Sequence, residues 1–134
     1  MFLSVGTDIQ EIARFEPLLK KERFMKRCFT NAERAYLDGT HVRPAESAAA
    51  AYCAKEAFAK AIGTGIDPEF LTSVEVLHLE SSQPYLKLYG KWAEKYGDLT
   101  LSVSLSHSAN YAVATVLAYR TDEGSGGHGD HPNG

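Results

Sequence analysis

The stretch PAESAAAAYCAKEAFAKAIGTG, from Pro44 to Gly65, decides how the rest of the chain folds. Alanine carries the lowest helical cost of any residue, so the run predicts a long helix. Pro44 suits a first helical turn, where its missing N–H is no loss, and Gly63 stops the helix after Ile62. At about 100° per residue, Ala51, Ala54, Phe58, Ala61 and Ile62 fall on one stripe. Glu56 and Lys60 lie one turn apart on the opposite side.

Upstream of this helix, Phe2 to Ile9 reads as a strand, with Leu3, Val5 and Ile9 on one parity and Ser4, Gly6 and Asp8 on the other. Ile12, Phe15, Leu18 and Leu19 then follow helical spacing. Thr30 followed by Glu33 is a capping-box pattern, which predicts a short helix ending near Gly39. Downstream, strands are predicted at Val74 to Leu79 and at Tyr85 to Leu88, around a polar turn of Ser81, Ser82 and Gln83 with Pro84 opening the second. A short helix from Lys91 to Tyr96 follows. Leu99, Leu101, Val103 and Leu105 alternate with Thr100, Ser102, Ser104 and Ser106, a clear strand signal, and Tyr111 to Ala118 suits its hairpin partner. One long helix among several strands predicts an α+β domain over residues 1–120. From Thr121 the chain is rich in Gly, Asp and His with no large apolar residue, so residues 121–134 are expected to be a disordered tail.

The 134 residues carry a formal net charge of −3, with 44% hydrophobic and 23% charged residues. These are ordinary values for one globular domain and exclude collagen-like, disordered and disulfide-scaffold chains. No apolar run approaches the ~18–20 residues of a membrane span. No basic segment followed by an apolar core opens the chain, and Cys28 and Cys53 make no metal-ligand spacing. The expectation is a cytoplasmic protein with reduced thiols and no membrane partner.

Charge is unevenly placed. Between Arg14 and Arg27, six basic residues (Arg14, Lys20, Lys21, Arg23, Lys26 and Arg27) face two acidic ones, a local balance of +4, while the remainder holds 8 basic and 15 acidic residues, or −7. A basic patch on an acidic body argues against nucleic acid and suits one acidic partner met face to face. The plain alternative is a solvated helix face.

Several side chains could carry chemistry. Asp8 is an acidic residue near a strand end, which by itself suits an edge or a turn. Glu56 and Lys60 are either a helix-stabilising pair or a metal-binding carboxylate beside a phosphate-binding ammonium. Gly63-Thr64-Gly65 permits close backbone approach to a ligand, but sits at a helix C-terminus, where the dipole repels anions, so a simple helix stop suits it too. His107 shares parity with Leu99 to Leu105, which fits a core histidine. Ser104 and Ser106 lack a nucleophile-elbow motif, and His128 and His131 fall in the tail.

Taken in order, GTDIQEIARF (Gly6 to Phe15), FTNAERAY (Phe29 to Tyr36), AKEAFAKAIGTG (Ala54 to Gly65) and SVSLSHSANYAVATV (Ser102 to Val116) make a specific set. The chain resembles the holo-acyl-carrier-protein synthase family, the short bacterial type of 4'-phosphopantetheinyl transferase, from about Phe2 to Arg120. The resemblance implies a 4'-phosphopantetheinyl transferase-like fold, with a small, largely antiparallel sheet packed on a long helix, in trimers with sites between subunits. It implies transfer of the phosphopantetheine arm of coenzyme A to a serine of apo acyl carrier protein, with release of adenosine 3',5'-bisphosphate. Asp8 and Glu56 would ligate a catalytic Mg²⁺, Lys60 would contact the pyrophosphate, and His107 would sit near the adenosine-side phosphates. Gly63, Gly65 and Pro84 would line the coenzyme A site. Lys55, beside Glu56, is a further candidate for charge stabilisation. Arg14 and the basic residues after it would receive the acidic carrier protein. The proton acceptor for the serine is left open between Glu56 and a water on the ion.

Two positions depart from the family pattern. Ala51 stands where an arginine is usual, and Arg43 is the nearest substitute; Ser82 stands where the turn before Pro84 usually has glycine. These changes predict altered coenzyme A binding with the transfer chemistry kept. Two other functions use the same residues. One is a non-catalytic module binding coenzyme A or carrier protein, and the other is a metal-dependent nucleotide pyrophosphohydrolase.

Overall fold

The computed structural model describes residues 1–39 and 41–121. Its organising contact is between a strand, β1 (Phe2–Glu11), and the alanine-rich helix, α4 (Pro44–Ile62). A Cβ on Gly6 would lie 1.9 Å from the Ala57 carbonyl oxygen and 2.6 Å from the Ala61 nitrogen. Only a residue without a side chain lets β1 lie directly on the helix backbone, and small residues on α4 admit it from the other side. The helix ends as expected: Gly63 takes the left-handed conformation at φ 71°, and the Thr64 N–H donates to the Ala59 carbonyl.

β1 pairs antiparallel with β5 (Tyr111–Arg120), which pairs antiparallel with β4 (Thr100–His107), giving the order β1-β5-β4. In register, Gly6 faces Val116 and Asp8 faces Ala114. Ala112, Ala114, Val116 and Ala118 alternate inward along β5 and are fully buried, so the sheet's inner face meets α4 with small side chains. The opposite parity of β1 is the exposed one: Leu3, Val5 and Ile9 stand 61%, 61% and 59% exposed. The apolar residues that mark the strand in the sequence therefore point away from the domain's core, and the parity carrying Asp8 points toward α4.

Shorter elements close the other side of α4. A 3-10 turn (Ile12–Arg14) leads into α1 (Phe15–Leu18), followed by α2 (Glu22–Cys28) and α3 (Asn31–Leu37). Thr30 caps α3 with the expected reciprocal bonds to Glu33. After α4 come α5 (Pro68–Ser73), a hairpin of β2 (Val74–His78) and β3 (Pro84–Leu88), and α6 (Gly90–Tyr96). Helices α2 and α5 were not expected: at seven and six residues they are too short for a periodic apolar stripe. Phe15, Phe29, Phe58, Phe70 and Trp92 fill the core between these pieces. Ser82 in the hairpin turn holds φ 74°, a conformation that glycine adopts without strain. Among the described residues no helix is long and apolar enough to cross a membrane. The expected disorder of the tail concerns residues 122–134, which with His128 and His131 lie outside the described residues.

Candidate active site

Asp8 projects from β1 toward the C-terminal half of α4, with its side chain only 11% exposed. Its Oδ1 lies 3.1 Å from the Lys60 Nζ, which also donates to the Thr7 carbonyl at 3.0 Å. Its Oδ2 accepts from Gln10 Nε2 at 2.9 Å, and Gln10 Oε1 in turn accepts from Arg14 Nη1. The Arg14 guanidinium rests over the rings of Phe15 and Tyr52. Glu56, one turn before Lys60, is half-buried and accepts a hydrogen bond from Tyr52. Burial, and then the negative charge of Asp8, push the Glu56 carboxyl above the ordinary carboxylate range. The charge of Asp8 thus acts on Glu56. Beside them Cys53 donates to the Ala112 carbonyl at 3.2 Å. Burial and Asp8 push its thiol up to about 12, so it is an inert neighbour, not a nucleophile.

Two hard carboxylates and a primary ammonium make a donor set suited to a divalent cation and a phosphate group. Among the described residues no cluster of three or more His, Cys, Asp or Glu side chains forms a closed metal cage.

The remaining predicted residues fall into separate places. His107, at the end of β4, is exposed and not a core histidine, because the inward parity of β4 ends before the strand does. Its Nδ1 lies 3.3 Å from Glu46 Oε2, and Glu46 lies 3.9 Å from Arg43 Nη1. Glu46, Ala51, Val76, His78 and Ser106 join His107 around a pocket of about 140 Å³. Ala51 therefore contributes space where a longer side chain would project. Pro84 pairs with His78 in the hairpin, next to this pocket, and His78 stacks on Tyr36 with ring centroids 4.1 Å apart. Gly63 and Gly65 lie at the other end of α4, just past Lys60. Glu46 and Glu56 are ten residues apart on α4, about 15 Å along the axis. Within one chain, the His107 pocket and the Asp8 cluster do not meet.

Lys55 is a correction. Its ammonium is fully buried, and its partners lie on α2, α3 and α5 instead of β1. It donates to the Cys28 carbonyl at 2.8 Å, to Glu33 at 2.7 Å and to the Leu71 carbonyl. One residue rotates a helix by about 100°, which separates Lys55 from Glu56 despite their adjacency. It cannot touch a group bound at Asp8. The basic residues, by contrast, are all exposed: Arg14, Lys20 and Lys21 precede α2, and Arg23, Lys26 and Arg27 lie on it. Lys26 pairs with Glu22 at 2.7 Å.

The family model of the 4'-phosphopantetheinyl transferase superfamily matches residues 4–116. The chain belongs to this superfamily. Among curated relatives, it is similar to the holo-[acyl-carrier-protein] synthase of Oceanobacillus iheyensis, 39% identical over 87% of this chain and 96% of that one. The Geobacter metallireducens holo-[acyl-carrier-protein] synthase is 42% identical over 90% and 99% of the two chains. The holo-(acyl-carrier-protein) synthase of Bacillus anthracis, solved in complex with CoA (3',5'-ADP), superposes with a TM-score of 0.74 at 34% identity, covering 88% of this chain and 96% of that one. The protein is accordingly a phosphopantetheinyl transferase, an enzyme of the holo-[acyl-carrier-protein] synthase type, and its α+β fold is that of the family.

In this phosphopantetheinyl transferase, sequence reasoning missed Gln10, Tyr52 and Glu46. Gln10 was legible in principle, since it shares strand parity with Asp8 and so faces the same side. Tyr52 precedes Glu56 by one helical turn, another available signal. Glu46 carried none, because its tie to His107 depends on how β4 ends.

Proposed function

We propose that this transferase moves the 4'-phosphopantetheine group of coenzyme A to a serine of apo acyl carrier protein, Mg²⁺-dependently, releasing adenosine 3',5'-bisphosphate. The observation that carries the proposal is the cluster of Asp8, Glu56 and Lys60 at the junction of β1 and α4. Asp8 and Glu56 hold the ion, which when bound supplies Lewis-acid polarisation of the pyrophosphate. Lys60 binds the pyrophosphate and offsets negative charge that grows as the phosphoanhydride opens. The serine oxygen bonds to the phosphorus bearing the pantetheine arm, the bond to the adenosine bisphosphate oxygen breaks, and the serine proton passes to Glu56 or to a water. Gln10 fixes the rotamer of Asp8, and Tyr52 that of Glu56. His107, with Arg43, takes the adenosine-side phosphates, and the glycines Gly63 and Gly65 leave room for substrate past Lys60.

The protein acts as a homotrimer with sites between subunits. Support comes from the roughly 15 Å along α4 between the two half-sites, and from the exposed row of Leu3, Val5 and Ile9 on β1, an apolar patch that association would cover. Arg14, Lys20, Lys21, Arg23, Lys26 and Arg27 receive the acidic carrier protein. We place the enzyme in the cytoplasm, in fatty acid biosynthesis.

Intact-mass measurement of apo acyl carrier protein after incubation with the enzyme, coenzyme A and Mg²⁺ tests this directly. A gain of one phosphopantetheine group that chelation abolishes is expected. Coenzyme A cleavage without any gain in carrier mass points to a hydrolase, and coenzyme A binding without cleavage to a non-catalytic module. Either result removes the proposal.

A further inference from the structure

Lys55 is a buried ammonium that the transfer chemistry does not use, and its three donors are all spent. One goes to the Cys28 carbonyl, the last residue of α2; one to Glu33 on α3; one to the Leu71 carbonyl on α5. Glu33 also accepts from the Thr30 and Val76 backbone N–H groups. The ammonium also lies 5.2 Å from the ring centroid of Phe29, the residue just past α2. A helix C-terminus presents unpaired carbonyls and partial negative charge, and a buried cation answers both. The helix so gripped exposes Arg23, Lys26 and Arg27, while Lys55 sits one residue from Glu56 on α4.

We infer that Lys55 is a positioning residue for the macromolecular substrate: it ties the C-terminal end of the basic helix to the helix carrying Glu56, and so sets where the acidic carrier protein docks relative to the reacting centre. The inference rests on the docking role of the basic residues given above. Without the ammonium, the carbonyls of Cys28 and Leu71 lose this donor inside the core, and Glu33 loses its charged partner while keeping the Thr30 and Val76 N–H groups. Buried acceptors left unmade are costly, and the cheapest repair is for the chain end at Cys28 to move until water reaches it. That displaces Arg27 and its neighbours while Glu56, held by Tyr52, stays in place. Coenzyme A binding and turnover are then kept, and carrier recognition is not.

Steady-state kinetics of the full-length Lys55→Met enzyme with both substrates varied reads this. The expected result is a KM for apo carrier protein raised about tenfold, the change for a docking loss of one decade in affinity, with kcat and the KM for coenzyme A within about twofold. If Lys55→Met does not fold, Lys55→Arg keeps the charge and the pair with Glu33 while its wider guanidinium pushes the Cys28 carbonyl aside. The same split is expected for it. Arg27→Glu is measured alongside, and its carrier KM should rise. An unchanged carrier KM in the Lys55 variant beside an impaired Arg27→Glu overturns the tether alone. An unchanged carrier KM in Arg27→Glu removes the docking surface and the tether with it. A fall in kcat with both KM values unchanged also overturns the inference, since it would make Lys55 a support for Glu56 instead.

Discussion

Lys60 Nζ stands 3.1 Å from Asp8 Oδ1, joining the long helix to the first strand across residues that are 52 positions apart. The ammonium is 56% exposed while the carboxylate is nearly covered, so the pair is open to solvent on the Lys60 side. An exposed ion pair contributes little to stability, typically under ~1 kcal/mol. On the proposed mechanism its worth lies in catalysis.

Lys60→Met should therefore leave the melting temperature nearly unchanged and lower kcat by about 10²–10³-fold, the usual cost of losing one charge-stabilising donor. Initial-rate kinetics beside a thermal melt separates the two effects. A large loss of stability with kcat kept would mean that the pair is structural.

Glu56 should trade stability for function. Its carboxyl is held above the ordinary 4.5 by burial and by Asp8, so the folded state binds a proton more tightly than the unfolded chain. Stability from that source is complete below about pH 4.5 and is lost as pH rises through the raised folded value. At pH 7–8, without divalent ion, Glu56→Gln should melt above the wild type, and near pH 4 the difference should vanish. The same variant should have lost turnover. Scanning calorimetry across this pH range checks the sign.

Gly6→Ala should be among the most damaging single-methyl additions in the chain. The new Cβ meets backbone atoms of α4, which have no flexible end to move aside. Overpacking of this kind costs about 1–3 kcal/mol or more, and forcing β1 off the helix also carries Asp8 away from Glu56. Denaturant unfolding should show a lower midpoint, and turnover should fall even in the folded fraction.

Val5→Asp alters an exposed side chain and should leave the fold of the single chain intact. It puts charge into the row of Leu3, Val5 and Ile9, so the expected result is a monomer by light scattering with little or no transferase activity. A variant that keeps both assembly and rate would remove this face from the proposed interface.

The extent to which the sequence was legible follows from the range of the interactions involved. Helix α4, the Thr30–Glu33 cap and the alternation of β4 are local patterns, and all three appear as predicted. Helices α2 and α5 escape because a helix of seven residues or fewer is made by its packing more than by its own periodicity. At β1 the parity of apolar residues is visible, but the sequence of one chain cannot say that Leu3, Val5 and Ile9 face outward. Lys55 is a candidate only through standing beside Glu56 in the sequence, and its place in the core is set by Cys28, Glu33 and Leu71, three partners from distant segments. Asp8, Glu56 and Lys60 come together as the family motif implies, because Gly6 brings the strand onto the helix.

The central claim is that Asp8 and Glu56 jointly hold one divalent ion. Titrating Mn²⁺ as a spin probe for Mg²⁺ into the enzyme with coenzyme A present, and following free Mn²⁺ by electron paramagnetic resonance, measures this without relying on turnover. The account predicts one tight site per chain in the wild type, weakened about 100-fold or more in both Asp8→Asn and Glu56→Gln, with coenzyme A still bound. Equal Mn²⁺ affinity in the wild type and in either variant would contradict it.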